Sequence, residues 1–486
     1  MNRMPKRAAL ATAAAMLAML AGCAQMAPDA GAVLRQADAA MGGTQLKSVR
    51  VVAAGTGASF GQAYQPGQAW PRLNASYTRL MDYENGAMRE DFARSRAEPN
   101  GGGGVPLMGA GEQRGTGLLR GSHAWNMAGP APSAAPVTLD GRIHDLWTSP
   151  HGVIKAAMKN SATARGEGGK TLVSFSEPGR FRATAVIGAD GLVERVDSVQ
   201  PSPVIGDTVT VTHYSEYRDV GGGVKFPGRV RQEMGGFPVL DARITEVQVN
   251  VPSGIEVPPL VAAFAERVAV EKAAEGVWFL AGGSHNSVAI EMADHIMLVE
   301  APLYDGRALA VLAEARKLVP GKPVRYVVNS HHHFDHAGGL RAMASEGVTL
   351  VTSEQARPFF EQAMGNPNTA APDALARSGR KATVTGVSGQ RNFADALRTV
   401  EVHFIEDSPH AQGFMMVWLP RERLLVQADA YTPGPPGSPA SNPPNLNNVV
   451  LAQNIDRLRL NVDRILPLHG RIVALADLHN AIGRRP

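Results

Sequence analysis

The sequence predicts an α/β chain in two parts: a mainly antiparallel β region, then a layered α/β domain. Three observations predict it. Between Val51 and Val251 the texture is β-like: Thr208-Val-Thr-Val-Thr-His-Tyr214 alternates strictly, and Arg243 to Asn250 alternates in large part, the period of a half-buried strand. Beyond Pro252 and the Pro258-Pro259 pair, short apolar runs alternate with helix-length segments such as Asp305 to Leu318. Third, Ser330-His331-His332-His333-Phe334-Asp335-His336-Ala337-Gly338-Gly339 follows the apolar run Val324 to Val328. A cluster of polar residues at a strand end, before a helix, is where open α/β sheets place ligands.

The elements follow in order. A helix is expected from about Gly31 to Met41, and Tyr214 to Pro227, with its Gly-Gly-Gly, reads as a hairpin. Asn100 to Gly104 and Ala128 to Pro136 are flexible loops. The curved sheet loosely resembles periplasmic lipoprotein-carrier and sorting proteins. His123, His144, His151 and His213 are scattered and suggest no catalysis there. The domain boundaries are 1–22, 23–258 and 259–486, with a short helix through Leu260, Phe264 and Val268 bridging the last two. Val277 to Leu280, Asn286 to Glu291 and His295 to Glu300 are strands, and Asp305 to Leu318 is the first helix on the sheet. Residues 357–385 form a helical insertion after the strand Val348 to Thr352. Tyr431 to Asn448 is a Pro/Gly/Asn-rich loop that starts two residues after Asp429, so it lies close to that carboxylate and is a candidate lid. Leu451, Ile455 and Leu458 mark an amphipathic helix.

The histidine-rich run carries the chemistry. In an extended segment His331 and His333 point to one side, because side chains alternate with period two, and His332 points away and is a non-ligand. Asp335 and His336 turn the corner and can face a second ion. Imidazole and carboxylate suit zinc, iron or manganese. A terminal tag would lack the interleaved Phe334 and Asp335 and the flanking strand. His285, His295, His403 and His479 read as ordinary histidines.

This His-x-His-x-Asp-His pattern resembles the metal-binding signature of the metallo-β-lactamase superfamily. His410 in Ser-Pro-His-Ala-Gln-Gly, Asp429 in Leu-Leu-Val-Gln-Ala-Asp and His469 in Leu-Pro-Leu-His-Gly follow in the order that superfamily uses. The resemblance covers about Glu266 to Pro486 and implies an αββα sandwich. It assigns His331, His333 and His410 to one divalent metal and Asp335, His336 and His469 to another, zinc first and iron or manganese as alternatives. Asp429 bridges them. The implied activity is hydrolysis by a metal-bridging hydroxide, with Asp335 as the catalytic residue that orients it or takes its proton. Superfamily members usually carry Asp after the third strand, where this chain has Glu300. True β-lactamases lack a bridging Asp at the place of Asp429, whereas glyoxalase II, lactonases and esterase-like members have one. A small ester, thioester or lactone is therefore the expected substrate. The alternatives are a β-lactamase-like hydrolase, a mono-iron persulfide dioxygenase, and a non-enzymatic lipoprotein that binds a lipid or other ligand.

The start of the chain reads as a secretory signal. Arg3, Lys6 and Arg7 precede the apolar stretch Ala8 to Leu20, which is too short to span a bilayer comfortably. Leu20-Ala21-Gly22-Cys23 resembles the lipobox of bacterial lipoproteins and implies lipidation of Cys23. The expected location is the bacterial cell envelope, facing the periplasm, with Ala24 pointing to the outer membrane. Cys23 is the only cysteine, so no internal disulfide can form. Without Arg3, Lys6 and Arg7 the chain has 45 Lys+Arg against 44 Asp+Glu, which gives no electrostatic case for nucleic acid. Changing Cys23→Ser is expected to move the protein from the membrane to the soluble fraction. Unchanged membrane association of the variant, with no fatty-acid label on the parent, contradicts the anchor.

Overall fold

The computed structural model describes residues 28–97 and 111–484. The signal segment, Cys23 and the Asn100–Gly104 loop lie outside the described residues.

The β-like texture becomes one antiparallel sheet of thirteen strands among the described residues. Its first strand, Ser48–Ala58, pairs on one side with Arg72–Asp82 and on the other with the last strand of this region, Phe237–Val249. The long pairing of first and last strands makes the region a single unit. The helix Ala30–Ala40 forms as expected. Two helices that the sequence texture did not suggest, Leu139–Thr148 and Pro150–Lys159, also pack on the sheet. Leu146, Val153 and Ile154 meet Val51, Val173 and Phe181 there, all fully or nearly fully buried. Gly141 and the buried polar His144 interrupt the apolar period of the first of these helices. His144 shares a 2.8 Å hydrogen bond with Ser198 Oγ, and His151 Nε2 donates to the Met41 carbonyl at 3.1 Å. These are core histidines with one ring nitrogen bonded each.

The expected bridging helix is shorter than its apolar spacing suggested. It runs only from Pro259 to Ala262. Val261 is buried with Ile255, Trp125 and Leu118 of the first region, while Leu260 and Phe264 are exposed. The Pro258-Pro259 pair starts this turn and nothing continues it. The second region then opens one strand earlier than expected, at Ala269–Ala274.

That region is an αββα sandwich. One sheet has seven strands, antiparallel through Ile296–Val299 and parallel from there through Val324–Val328, Thr349–Ser353 and Val384–Val387. The other has six. The central strands are buried on both faces. Met297 and Val299 point into the layer between the sheets, while Ile296 and Leu298 point to the outer helices. This explains their unbroken apolar runs. Asp305–Leu318 and Leu340–Ser345 cover the first sheet, and Leu446–Arg457 and Leu475–Ala481 the second. Behind the histidine run, Gly338 and Gly339 are required by close approach. A Cβ on Gly338 would lie 2.0 Å from the Leu303 carbonyl oxygen, and one on Gly339 would lie 2.4 Å from Ala308 Cβ.

The two regions share a core. Phe60 and Trp70, on the loop between the first two strands, pack edge-to-face with Phe334 at ring-centroid distances of 5.2 and 5.6 Å. Phe237 closes the cluster against Trp70 at 5.5 Å. The insertion also docks here. Its helix Arg357–Gly365 places Phe359 on Phe334, and the Pro367 carbonyl accepts from Asp207 N at 2.7 Å. Among the described residues no helix is long and apolar enough to cross a membrane. Trp70→Ala is expected to cost about 3–5 kcal/mol, the usual cost of emptying a buried aromatic site. Urea unfolding of the full chain measures it, and an unchanged midpoint contradicts the shared core.

Candidate metal centre

All seven residues singled out by sequence converge at one edge of the sandwich. They arrive on loops that leave strand ends: His331 to His336 after Val324–Val328, Asp429 after Leu424–Gln427, and His469 after Arg464–Pro467. His410 lies between the strands Thr399–Phe404 and Met415–Leu419. They form two groups with mutually close donor atoms: His331, His333, His410 and Asp429; and Asp335, His336 and His469, joined by His285.

In His331, His333, His336 and His469 the hydrogen bonds made by the outer nitrogens fix which nitrogen faces inward, whereas His410 Nδ1 has no such partner. His336 Nδ1 donates to Glu300 Oε2 at 3.0 Å, and His469 Nδ1 donates to the Ser284 carbonyl at 2.8 Å. His333 Nε2 donates to the Ala63 carbonyl at 3.0 Å. Ser330 Oγ gives its proton to Glu300 Oε2 at 2.6 Å and so accepts from His331 Nδ1 at 2.9 Å. The lone pairs that remain point at one another. His331 Nε2 is 3.0 Å from His333 Nδ1 and 3.1 Å from His410 Nε2, and His336 Nε2 is 3.2 Å from His469 Nε2. Neutral imidazole lone pairs at such distances repel unless a cation or proton lies between them.

Asp429 spans both groups. Its Oδ1 is 2.9 Å from both His336 Nε2 and His469 Nε2, and its Oδ2 is 3.1 Å from His410 Nε2. The carboxylate is fully buried, and neither oxygen receives a conventional hydrogen bond. Burying such an ion costs several kcal/mol unless a cation compensates. The electrostatics agree. Burial opposes charge on His336, yet Asp429 and Asp335 hold its pKa well above the ordinary imidazole value. Burial would raise the Asp429 pKa, but His336 and His410 hold it well below the carboxylate range. Burial and neighbouring imidazoles push His331 and His333 well down. The donor set therefore suits divalent cations, which His331, His333 and His410 would hold on one side of Asp429 and Asp335, His336 and His469 on the other.

His332 lies outside both groups, although it does not turn away: its Nε2 donates at 2.8 Å to the same Ala63 carbonyl as His333. His285 is the correction. Read as an ordinary histidine, it lies with Nε2 3.2 Å from Asp335 Oδ2 and its ring 4.2 Å from that of His469. Asn286 holds its loop in place beside His469, donating through its backbone N to the Leu468 carbonyl and through Nδ2 to the Pro467 and Gly470 carbonyls. The only sequence signal was position: Ser284-His285-Asn286 turns between two strands, on the edge where the other site loops emerge. Glu300 was likewise seen only as a departure from the superfamily pattern. It is fully buried, in the left-handed region at φ 70°, and accepts from Asn329 Nδ2 (2.9 Å), Ser330 N (3.0 Å), Ser330 Oγ and His336 Nδ1. One carboxylate thus orients His336 directly and His331 through Ser330. Gln62 and Ala63, from the other region, had no signal at all.

Residues 280–473 match the family model of the metallo-β-lactamase superfamily, so this part of the chain is a metallo-β-lactamase domain. Members of that superfamily are typically metal-dependent hydrolases that use divalent metals, usually zinc. The linear primary-alkylsulfatase of Pseudomonas sp. (strain ATCC 19151) is 25% identical over 227 residues, 38% of this chain and 41% of that protein. The chain thus spans about two fifths of that relative's length. Among solved structures, the metallo-β-lactamase from Pontibacter korlensis is 16% identical, with a TM-score of 0.35 over 45% of this chain and 98% of the other. The mono-zinc form of FIM-1 from Pseudomonas aeruginosa is also 16% identical, with a TM-score of 0.34 over 44% and 93%.

Glu300→Gln tests the orienting carboxylate. It can turn an amide donor toward the His336 N–H, and it removes the charge that holds both rings. Divalent-ion affinity is expected to fall about 10–100-fold, the usual cost of losing an outer partner of a metal ligand, with the circular dichroism spectrum unchanged. Ion binding equal to the parent's contradicts this role.

Proposed function

We propose that this chain is a hydrolase of a small ester, thioester or lactone that works with two divalent cations, zinc first among them. The observation that carries the reading is the Asp429 carboxylate, with one oxygen toward each histidine group. Two divalent ions about 3.5–4 Å apart generate a nucleophile from water at neutral pH and stabilise the oxyanion formed on attack. The residues do the rest. His331, His333 and His410 are almost fully buried, so their side of the centre is closed to substrate. Asp335 keeps 31% of its side chain exposed and His469 18%, so substrate and water enter beside them. Gln62 Nε2 donates to Asp335 Oδ1 at 2.7 Å, and Oδ2 faces His336 at 3.8 Å. Asp335 is thus oriented at the entrance, where it can receive a proton from the attacking water.

A sulfuric ester is the second reading, supported by the alkylsulfatase relative. The mono-iron reading draws no support from a donor set that is equally complete on both sides of Asp429. The carrier reading has its own space on the first sheet, an open hollow of about 790 Å³ lined by polar and apolar residues, Arg182, Asp197, Phe175 and Val199 among them, and it stays as an alternative. The lipid anchor and the envelope location remain part of the proposal and rest on the Cys23 segment.

Asp429→Asn is expected to reduce bound metal and to slow hydrolysis by at least about 10–100-fold, with a similar melting curve. Full occupancy and normal turnover remove the bridging role. The metal-loaded full chain is assayed against esters, thioesters, lactones, linear alkyl sulfates and β-lactams. Preference for the sulfates selects the second reading, and hydrolysis of none of them overturns the hydrolase.

A further inference from the structure

We propose that the first loop of the N-terminal sheet completes the metal centre, with Gln62 as the residue that positions Asp335. The loop joins Ser48–Ala58 to Arg72–Asp82. Its sequence, Gly61-Gln-Ala-Tyr-Gln-Pro-Gly-Gln68, has no apolar period that would bury it. Yet Gly61 and Ala63 are buried against the second region.

The contacts reach both halves of the centre. On the first side, the Ala63 carbonyl accepts from both His333 Nε2 and His332 Nε2. A carbonyl can only accept, so it keeps the His333 proton on Nε2 and leaves the Nδ1 lone pair facing inward. Gln412 N donates to the Tyr64 carbonyl at 2.8 Å, two residues from His410. On the second side, the Gln62 amide occupies Asp335 Oδ1, leaving Oδ2 to face inward. A neutral amide suits this place. It fixes one oxygen without the positive charge by which a lysine would oppose a cation.

The loop is clamped at both ends. Phe334 N donates to the Gly61 carbonyl at 3.1 Å, and Phe60 and Trp70 grip the Phe334 ring. Gly61 has φ +80°, and a Cβ there would lie 2.5 Å from Phe334 Cγ. The backbone is thus pressed onto the histidine run at the one residue type that permits it. The two regions therefore form one catalytic unit.

This rests on the reading of the cluster as a metal centre. Gln62→Met keeps the length of the side chain and removes its amide. In the full chain, ion affinity is measured by chelator competition with zinc, alongside the melting curve of the ion-free protein. Zinc at Asp335 is expected to bind about 10–100-fold more weakly, with zinc at His331, His333 and His410 unchanged and the ion-free melting curve unchanged. In the cobalt-substituted protein the visible bands should shift. Gln65→Met, on the same loop but exposed, should match the parent in every measurement. A Gln62→Met protein that binds every ion as the parent does overturns the proposal. A parent that takes up only one zinc overturns the two-ion reading instead. The comparison of Gln62→Met with that parent still decides the role of Gln62.

Discussion

A buried negative charge without a protein donor governs this structure. Asp429 sits in the interior with five imidazole nitrogens converging on the space around it, and neither of its oxygens has a conventional hydrogen bond. Left alone, such an arrangement is unfavourable twice over: a desolvated carboxylate and facing lone pairs. Positive charge between the groups relieves both at once. The same carboxylate, with Asp335, holds the His336 pKa well above that of an ordinary imidazole, against the opposing effect of burial. The sheets bring strand ends together at one edge, and the loops leaving those ends carry the charge conflict that binding of cations resolves.

The tolerance of that conflict depends on rigid orientation from outside. Glu300 accepts four hydrogen bonds while its backbone stays in the left-handed region, a conformation that costs a non-glycine residue of order 1–3 kcal/mol. The longer side chain at this place reaches across to both Ser330 and the His336 ring. What looked like a lapse from the superfamily pattern is thus a working substitution, coupling the two histidine groups through one carboxylate.

Sequence reading succeeded where the information is local. The period-two strands, the helix Asp305–Leu318 and the histidine run are each written within a dozen residues, and the structure has them at those places. It failed where the information is long-range. His285 meets Asp335 across 50 positions and Gln62 meets it across 273. No spacing rule connects such residues, and a single histidine or glutamine in a turn has no distinguishing pattern. The helix expected through Leu260, Phe264 and Val268 failed for the opposite reason. Its apolar spacing was real, but Leu260 and Phe264 stayed at the surface, while Val261 joined the core of the first region and Val268 packs against that of the second.

The covering elements bury one side of the candidate centre more than the other. Ala63 and Phe334 close the side of His331 and His333, and the insertion seals the rim beyond them through Phe359 and the Pro367–Asp207 contact. The side of Asp335 and His469 is the more exposed, although His285 beside them is buried. There Pro433, on the proline-rich loop after Asp429, lies against Gly470. Access to the candidate centre is thus one-sided, and part of its closed side is built by Ala63, from a region that contributes no candidate metal ligand of its own.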